Sequence, residues 1–84
     1  MNETANWLYR FLKKRKKIKR DPLTEETDIF ETGFVDSLGI VELVTSIEST
    51  FSIRLDSAQL QDPKFKTIQG IAEIIDKRRN GQSP

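Results

Sequence analysis

The chain contains no cysteine and no histidine among its 84 residues. Without cysteine there is no disulfide and no thiolate nucleophile, and without both residue types a Cys/His zinc site is excluded. The missing histidine also removes the imidazole base that serine and cysteine nucleophiles ordinarily use. These absences argue against an enzyme. They also indicate that any reactive group comes from outside the chain.

Long apolar runs are missing as well. No stretch approaches the roughly 20 apolar residues that a membrane-spanning helix requires, and the N-terminus lacks the basic-then-apolar pattern of a secretory leader. We therefore expect a cytoplasmic protein with no transmembrane segment. The length fits one small domain over residues 1–84. Within it we expect an ordered helical core over about residues 4–78 and a flexible tail over 80–84.

Positive charge is scarce in the body of the chain and concentrated at its flanks. Residues 21–76 hold twelve acids and three cations, a net charge of −9, although the whole chain carries only +1. The run 10–20 holds eight cations and no acid: Arg10, Lys13, Lys14, Arg15, Lys16, Lys17, Lys19 and Arg20. The overall charge therefore says little about what the protein attracts.

The cationic run 10–20 has three interpretations. It is a solvated helix end whose cations suit the helix dipole, or a dock for an acidic partner or an anionic membrane surface, or the contact surface of a small nucleic-acid-binding module. The acidic body would repel a nucleic-acid backbone, and no predicted helix combines cations with base-reading Asn or Gln. We therefore keep the nucleic-acid module only as the alternative function.

The spacing of apolar residues predicts an all-α bundle of three main helices and one short one, with a long loop over 21–36 between the first two. The first helix, from Thr4 to about Lys17, has an apolar stripe of Trp7, Leu8, Phe11 and Leu12. The second has a stripe of Ile40, Leu43, Val44, Ile47 and Phe51. The last, capped by Thr67, has a stripe of Ile68, Ile71, Ala72 and Ile75. The segment DSAQL predicts the short helix, capped by Asp56 or Ser57.

Ser37 stands at the predicted start of the second helix, with Asp36 as a natural N-cap. Taken alone, it is an ordinary first-turn serine. However, Leu38 and Val41 lie off the core stripe and form an apolar surface beside it, and Gly39 costs about 1 kcal/mol relative to alanine in a helix. A helix N-terminus favours an anion. The position therefore suits a phosphoester on serine better than serine catalysis, and we expect neither a catalytic residue nor a metal site.

The segment FETGFVDSLGIVELVTSIESTF resembles the prosthetic-group motif of the acyl carrier and peptidyl carrier proteins, whose core reads Asp-Ser-Leu. The similarity runs from roughly Leu8 to Ile75 and includes the order of helices and the FKTIQGIAEII ending. It implies that a separate phosphopantetheinyl transferase attaches 4′-phosphopantetheine from coenzyme A to Ser37. It also implies that an acyl or aminoacyl cargo rides on the arm as a thioester.

The same resemblance implies contacts with partner proteins. Asp36 matches the residue that helps the transferase to bind its metal. The positions recognised by a loading ligase and by a downstream synthase or transferase are matched by Leu38, Val41, Glu42 and Glu48. A solvated helix face explains the two glutamates equally well. We expect a monomer.

Gly39 departs from the fatty-acid carriers, which have an acidic residue at that position. A glycine two residues after the serine is similar to the D-alanyl and other free-standing aminoacyl carriers. The resemblance therefore favours an amino acid or a specialised acyl group as cargo.

Overall fold

The computed structural model describes residues 2–15 and 22–80, and all regular structure in these ranges is helical. The helices are α1 (Glu3–Arg15), α2 (Ser37–Phe51), α3 (Ser57–Leu60) and α4 (Ile68–Arg79). The predicted all-α class, with three main helices and a short third one, is confirmed there. Three predicted features fall wholly or partly outside the described residues: the end of the first helix near Lys17, residues 16–20 of the cationic run, and residues 81–84 of the predicted tail 80–84.

One apolar core holds the helices together. α1 packs mainly against α4, and α2 contacts α4 less extensively. Each main helix buries the centre of its predicted stripe: Leu8 and Leu12 from α1, Leu43 and Ile47 from α2, and Ile68, Ile71 and Ile75 from α4. The margins of the core are partly buried: Trp7, Phe11, Ile40, Val44 and Phe51. Each fully buried side chain of this size contributes about 1.5–3 kcal/mol by leaving water.

The loop before α2 is hydrogen-bonded to the segment before α4 and to the first turn of α4. The Ile29 N–H donates to the Lys66 carbonyl at 2.8 Å, and the Gln69 N–H donates to the Glu25 carbonyl at 3.0 Å. Gly33 makes a turn with a φ of 85°, which glycine adopts without strain. The buried apolar residues of this loop are Leu23, Ile29, Phe34 and Val35. The loop thus delivers the chain to the start of α2 in a defined position.

A polar clasp joins the first turn of α1 to the last turn of α4. The Thr4 hydroxyl donates to one carboxylate oxygen of Asp76 at 2.6 Å, and the Asn2 side-chain amide donates to the other at 2.9 Å. Thr4 is buried. These contacts join residues more than 70 positions apart, so the periodicity of the sequence gave no sign of them.

Two tight features lie just before α4 and in its first turn. Residues 62–65 form a turn in which the Phe65 N–H donates to the Asp62 carbonyl at 2.8 Å, and the Phe65 side chain is buried in the core. A Cβ on Gly70 would lie 2.0 Å from the Lys64 carbonyl oxygen, so only glycine fits there.

No helix in the described parts of the chain is both long enough and apolar enough to cross a membrane.

Candidate functional site at the start of α2

The first turn of α2 is closed by its cap. Asp36 has the extended backbone of an N-cap, with φ −106° and ψ −170°, and one of its carboxylate oxygens accepts the Gly39 N–H at 2.7 Å. The predicted capping role of Asp36 is therefore confirmed. Ser37 is the first helical residue, and Gly39 lies on the buried side of the turn.

The outer side of this turn faces solvent. Ser37 is exposed, and beside it Leu38 and Val41 are 77% and 62% exposed. Among the described residues, these two are the large hydrophobic side chains that the fold leaves most open. The predicted apolar surface next to the serine is therefore present.

This arrangement fits a phosphate attached at the Ser37 hydroxyl. The first N–H groups of a helix have no acceptor within the helix, and the aligned peptide dipoles give this end a partial positive charge. α2 is 15 residues long, enough to develop that dipole. An exposed serine here can carry a bulky phosphoester that leads away from the core.

The two glutamates of α2 differ in their surroundings. Glu42 is exposed, whereas Glu48 is half-buried. A carboxylate oxygen of Glu48 accepts the Leu55 N–H at 2.9 Å, and its backbone carbonyl accepts the Ile53 N–H at 3.2 Å. Glu48 therefore holds the chain where it leaves α2, a role that sequence reasoning missed because Leu55 lies seven residues further on. Partner contact by either glutamate stays a prediction.

Two other features were compared with this site within residues 2–15 and 22–80, namely acidic clusters and a second capped serine. No group of three or more acidic side chains there is arranged to hold a metal ion. A second exposed serine, Ser57, also follows a capping aspartate, Asp56, but it begins a helix of only four residues.

A family model described as "Phosphopantetheine attachment site" matches residues 6–75, most of the chain. The chain belongs to this family. Covalent 4′-phosphopantetheine is the cofactor of the family, and its members are carriers rather than catalysts. The resemblance drawn from the Asp-Ser-Leu segment is thereby confirmed, and the exposed Ser37 lies within the matched residues.

Several curated relatives are D-alanyl carrier proteins. The chain is 33% identical to the one from Streptococcus pyogenes serotype M5 (strain Manfredo) over 52 residues, 62% of this chain and 66% of the relative. It is 34% identical to the one from Streptococcus thermophilus (strain ATCC BAA-491 / LMD-9) over 55 residues, 66% of this chain and 70% of the relative. The first match thus spans just under two thirds of that relative's length.

The nucleic-acid-binding alternative finds no support in these comparisons. Its central feature, the cationic run 10–20, is described only as far as Arg15, which ends α1. The remaining cations of the run lie outside the described residues.

Proposed function

We propose that this protein is a carrier whose Ser37 bears a 4′-phosphopantetheine arm, with an acyl or aminoacyl group held as a thioester and presented to partner enzymes. The observation that carries the proposal is an exposed serine hydroxyl at the start of a 15-residue helix, inside the segment matched by the attachment family. The arm supplies a terminal thiol, which the chain itself lacks.

Ser37 has one chemical task in this proposal. Its hydroxyl oxygen forms a phosphoester with the 4′-phosphate of coenzyme A, the phosphoanhydride bond breaks, 3′,5′-ADP leaves, and the hydroxyl proton passes to the transferase or to solvent. The N-terminal end of α2 stabilises the negative charge of the resulting phosphodiester. The chain needs no base of its own because the transferase supplies one.

Asp36 has two roles in this proposal. One carboxylate oxygen caps α2 through the Gly39 N–H, which fixes the turn that presents Ser37. The carboxylate is exposed, next to the reacting hydroxyl in sequence, and can help a transferase to place its metal. An asparagine would retain the cap but lose the charge.

The partner surface consists of Leu38, Val41 and Glu42. The two apolar side chains are exposed beside the attachment point, and the exposed carboxylate follows directly. Apolar groups left in water at a helix surface are typical of a protein–protein contact. A transferase, a loading ligase and a downstream enzyme would use this surface in turn, with the carrier acting as a monomer in the cytoplasm, where coenzyme A is found.

For the cargo we propose an amino acid. Support comes from the relatives named D-alanyl carrier proteins and from Gly39, which stands where fatty-acid carriers have an acid. D-alanine is the first candidate. A loading assay with an adenylating ligase, comparing D-alanine, L-alanine and a medium-chain fatty acid, separates an aminoacyl carrier from an acyl carrier.

The attachment itself is tested by intact-mass spectrometry. The unmodified protein is incubated with coenzyme A and a phosphopantetheinyl transferase of broad specificity. We expect a gain of one 4′-phosphopantetheine in the wild type and none in Ser37→Ala. Ser57→Ala is the matched control, because Ser57 is also exposed and also follows a capping aspartate.

The control variant should gain the arm as the wild type does. A wild type that gains nothing, or a Ser37→Ala protein that is still modified, would contradict the proposal. A protein that stays unmodified and binds DNA with a steep salt dependence would instead favour the nucleic-acid alternative.

A further inference from the structure

The outer side of α1 is positively charged. Between residues 6 and 15 this helix has four cations and no acidic residue. Arg10 and Lys14 are exposed and lie one turn apart on the same side of the helix, and Lys13, beside them, is half-buried. We call these three residues the basic face of α1.

The helix dipole explains only part of this charge. The attraction of the dipole for cations fades within the last turn of a helix. Because α1 ends at Arg15, Arg10 lies before that turn. A solvated helix end therefore accounts for Lys13 and Lys14 better than it accounts for Arg10.

The arginines that end α4 differ because they are engaged by the fold. The Arg78 guanidinium donates to the Arg54 carbonyl at 3.0 Å. The Arg79 guanidinium lies over the Phe51 ring, 5.1 Å from its centroid. These contacts tie the cations of α4 to neighbouring segments, whereas two of the three cations of the basic face point into solvent.

Aromatic rings border the basic face on both sides. On one side Trp7 and Phe11 are half-buried and stack with their centroids 5.3 Å apart. On the other side Tyr9 is half-buried, and the Lys13 ammonium lies over its ring, 5.7 Å from the centroid. A depression of about 170 Å³ opens to solvent where rings and cations meet, and its lining is Trp7, Arg10, Phe11 and Lys14.

This combination matches the surface of an anionic lipid bilayer. Trp and Tyr are enriched where headgroups meet acyl chains, because their rings are apolar at one end and polar at the other. Lys and Arg keep their charge among the headgroups while their methylene stems lie along apolar surface. The depression, with aromatic walls and two cations, fits one headgroup phosphate held between Arg10 and Lys14.

Two observations favour a lipid surface over an acidic protein. The basic face is the convex side of one helix, and its depression of about 170 Å³ is small for the pockets into which a protein partner inserts its central side chains. The sequence directly after α1 adds four more cations in five residues. A basic cluster of this size on an amphipathic helix is typical of binding to anionic lipids.

The charge of the rest of the molecule sets the orientation. Residues 21–76 hold twelve acids against three cations. An anionic surface therefore attracts α1 and repels the body of the chain. Ser37 and Leu38 belong to α2 and are not part of the basic face, so contact with a membrane leaves them open to partner enzymes.

We propose that the basic face of α1, with its aromatic border, binds the surface of an anionic phospholipid membrane. The contact is peripheral, with cations at the headgroup phosphates and the exposed edges of the rings at the level of the headgroups. It does not depend on the arm proposed at Ser37.

The test is co-sedimentation of the full chain with lipid vesicles. One set contains equal parts of phosphatidylglycerol and phosphatidylcholine, and the other contains phosphatidylcholine alone. We expect binding to the first set only. The affinity should fall at least about tenfold between about 50 and about 500 mM sodium chloride, because salt screens the charges.

Trp7 reports whether the rings reach the lipid. It is the single tryptophan of the chain. Phosphatidylglycerol that is brominated in its acyl chains quenches indole emission at short range. We therefore expect brominated vesicles to quench Trp7 and unbrominated vesicles of the same charge to leave it unquenched.

Two double variants provide the matched pair. Arg10→Glu with Lys14→Glu reverses the basic face, and Lys66→Glu with Lys77→Glu reverses two exposed cations elsewhere. Each lowers the net charge of the chain by four from +1. The first should lose at least about tenfold in affinity for the anionic vesicles, and the second about threefold or less.

Circular dichroism first confirms that both variants are folded. If the reversed face prevents folding, Arg10→Gln with Lys14→Gln replaces it, and a loss of at least about threefold is expected because only two charges are removed.

Three results would overturn the proposal: no binding to the anionic vesicles at low salt, equal losses in the two double variants, or an unquenched Trp7 on brominated vesicles. A chain that ignores the vesicles and binds poly-L-glutamate through Arg10 and Lys14 would also overturn it and would assign the face to an acidic protein. None of these results bears on arm attachment, which the gain in mass tests separately.

Discussion

Helices α2 and α4 begin with the same local chemistry and meet different surroundings. In α2 the cap Asp36 accepts the Gly39 N–H at 2.7 Å, and in α4 the cap Thr67 accepts the Gly70 N–H at 3.0 Å. Yet the residue after the cap is fully buried in α4, as Ile68, and exposed in α2, as Ser37.

The difference shows which start serves the fold. The start of α4 is covered on two sides. The Gln69 N–H donates to the Glu25 carbonyl in the loop before α2, and Gly70 lies against the Lys64 carbonyl in the turn before α4. The start of α2 is capped just as well but left open, with Leu38 and Val41 in water. Two large apolar side chains that lie exposed beside the serine agree with the contact surface proposed there.

The largest predicted effect on the free energy of unfolding concerns the residue that follows each cap. Ile68→Ala removes a fully buried side chain and should lower the free energy of unfolding by about 3 kcal/mol. Ser37→Ala should change it by less than about 0.5 kcal/mol, because the site is exposed. Urea denaturation of both variants measures the contrast. Similar losses in the two would contradict the assignment of α2's start to function.

The next effect concerns Gly70. Gly70→Ala places a Cβ against the Lys64 carbonyl oxygen, a backbone atom that cannot rotate away. We expect a net loss of about 2 kcal/mol in the free energy of unfolding, since overpacking outweighs the better helix propensity of alanine. Thermal and urea unfolding should both show it. An alanine variant as stable as the wild type would show that the chain there relaxes freely.

Both helix starts were predictable from the sequence, because capping and periodicity are local. Asp36 and Thr67 stand in front of apolar stripes of helical spacing, and the structure confirms both as caps. Leu38 and Val41 were predicted to be outside the core because they lie off the stripe. The attachment role of Ser37 was suggested by resemblance, since a capped serine alone does not specify a phosphoester.

Contacts between distant segments could not be predicted in this way. The clasp between Thr4 and Asp76, and the bond from the Leu55 N–H to Glu48, depend on where the helices meet in space. Phe65 belongs to none of the predicted helical stripes, yet its side chain is buried in the core. The groove of about 490 Å³ between α1 and α2 was also not predicted. Its walls come from two helices, and the periodicity of one helix does not show how far apart two helices lie.

A smaller predicted effect separates the capping role of Asp36 from the role of its negative charge. Thr67→Ala should cost about 1 kcal/mol of stability and leave arm attachment unaffected. Asp36→Asn should leave stability nearly unchanged, because asparagine caps as well as aspartate, and should slow arm attachment about tenfold through the lost carboxylate. Denaturation midpoints and initial rates of mass gain give the two readouts. Equal attachment rates for Asp36→Asn and wild type would limit Asp36 to its capping role.

The smallest effect concerns the surface pair beside the start of α4. The Lys64 ammonium lies 3.0 Å from a Glu73 carboxylate oxygen, and this hydrogen bond and charge raise the pKa of Lys64 above its ordinary value of 10.5. A raised lysine pKa gives stability that is complete below about pH 10.5 and is lost as the pH climbs through the folded value. Because the pair is exposed, the contribution is small. Glu73→Gln should therefore match the wild type within error from pH 6 to 9, and a clear loss of stability there would contradict this.

The most direct measurement is the position of the arm on the modified chain. Trypsin separates the two serines that follow capping aspartates, since Ser37 lies in the peptide 21–54 and Ser57 in the peptide 55–64. Fragment-ion mass spectrometry of the arm-bearing protein should place one 4′-phosphopantetheine in 21–54, on Ser37 rather than on Ser46, Ser49 or Ser52. An arm found on any other serine, or on none, would contradict the account.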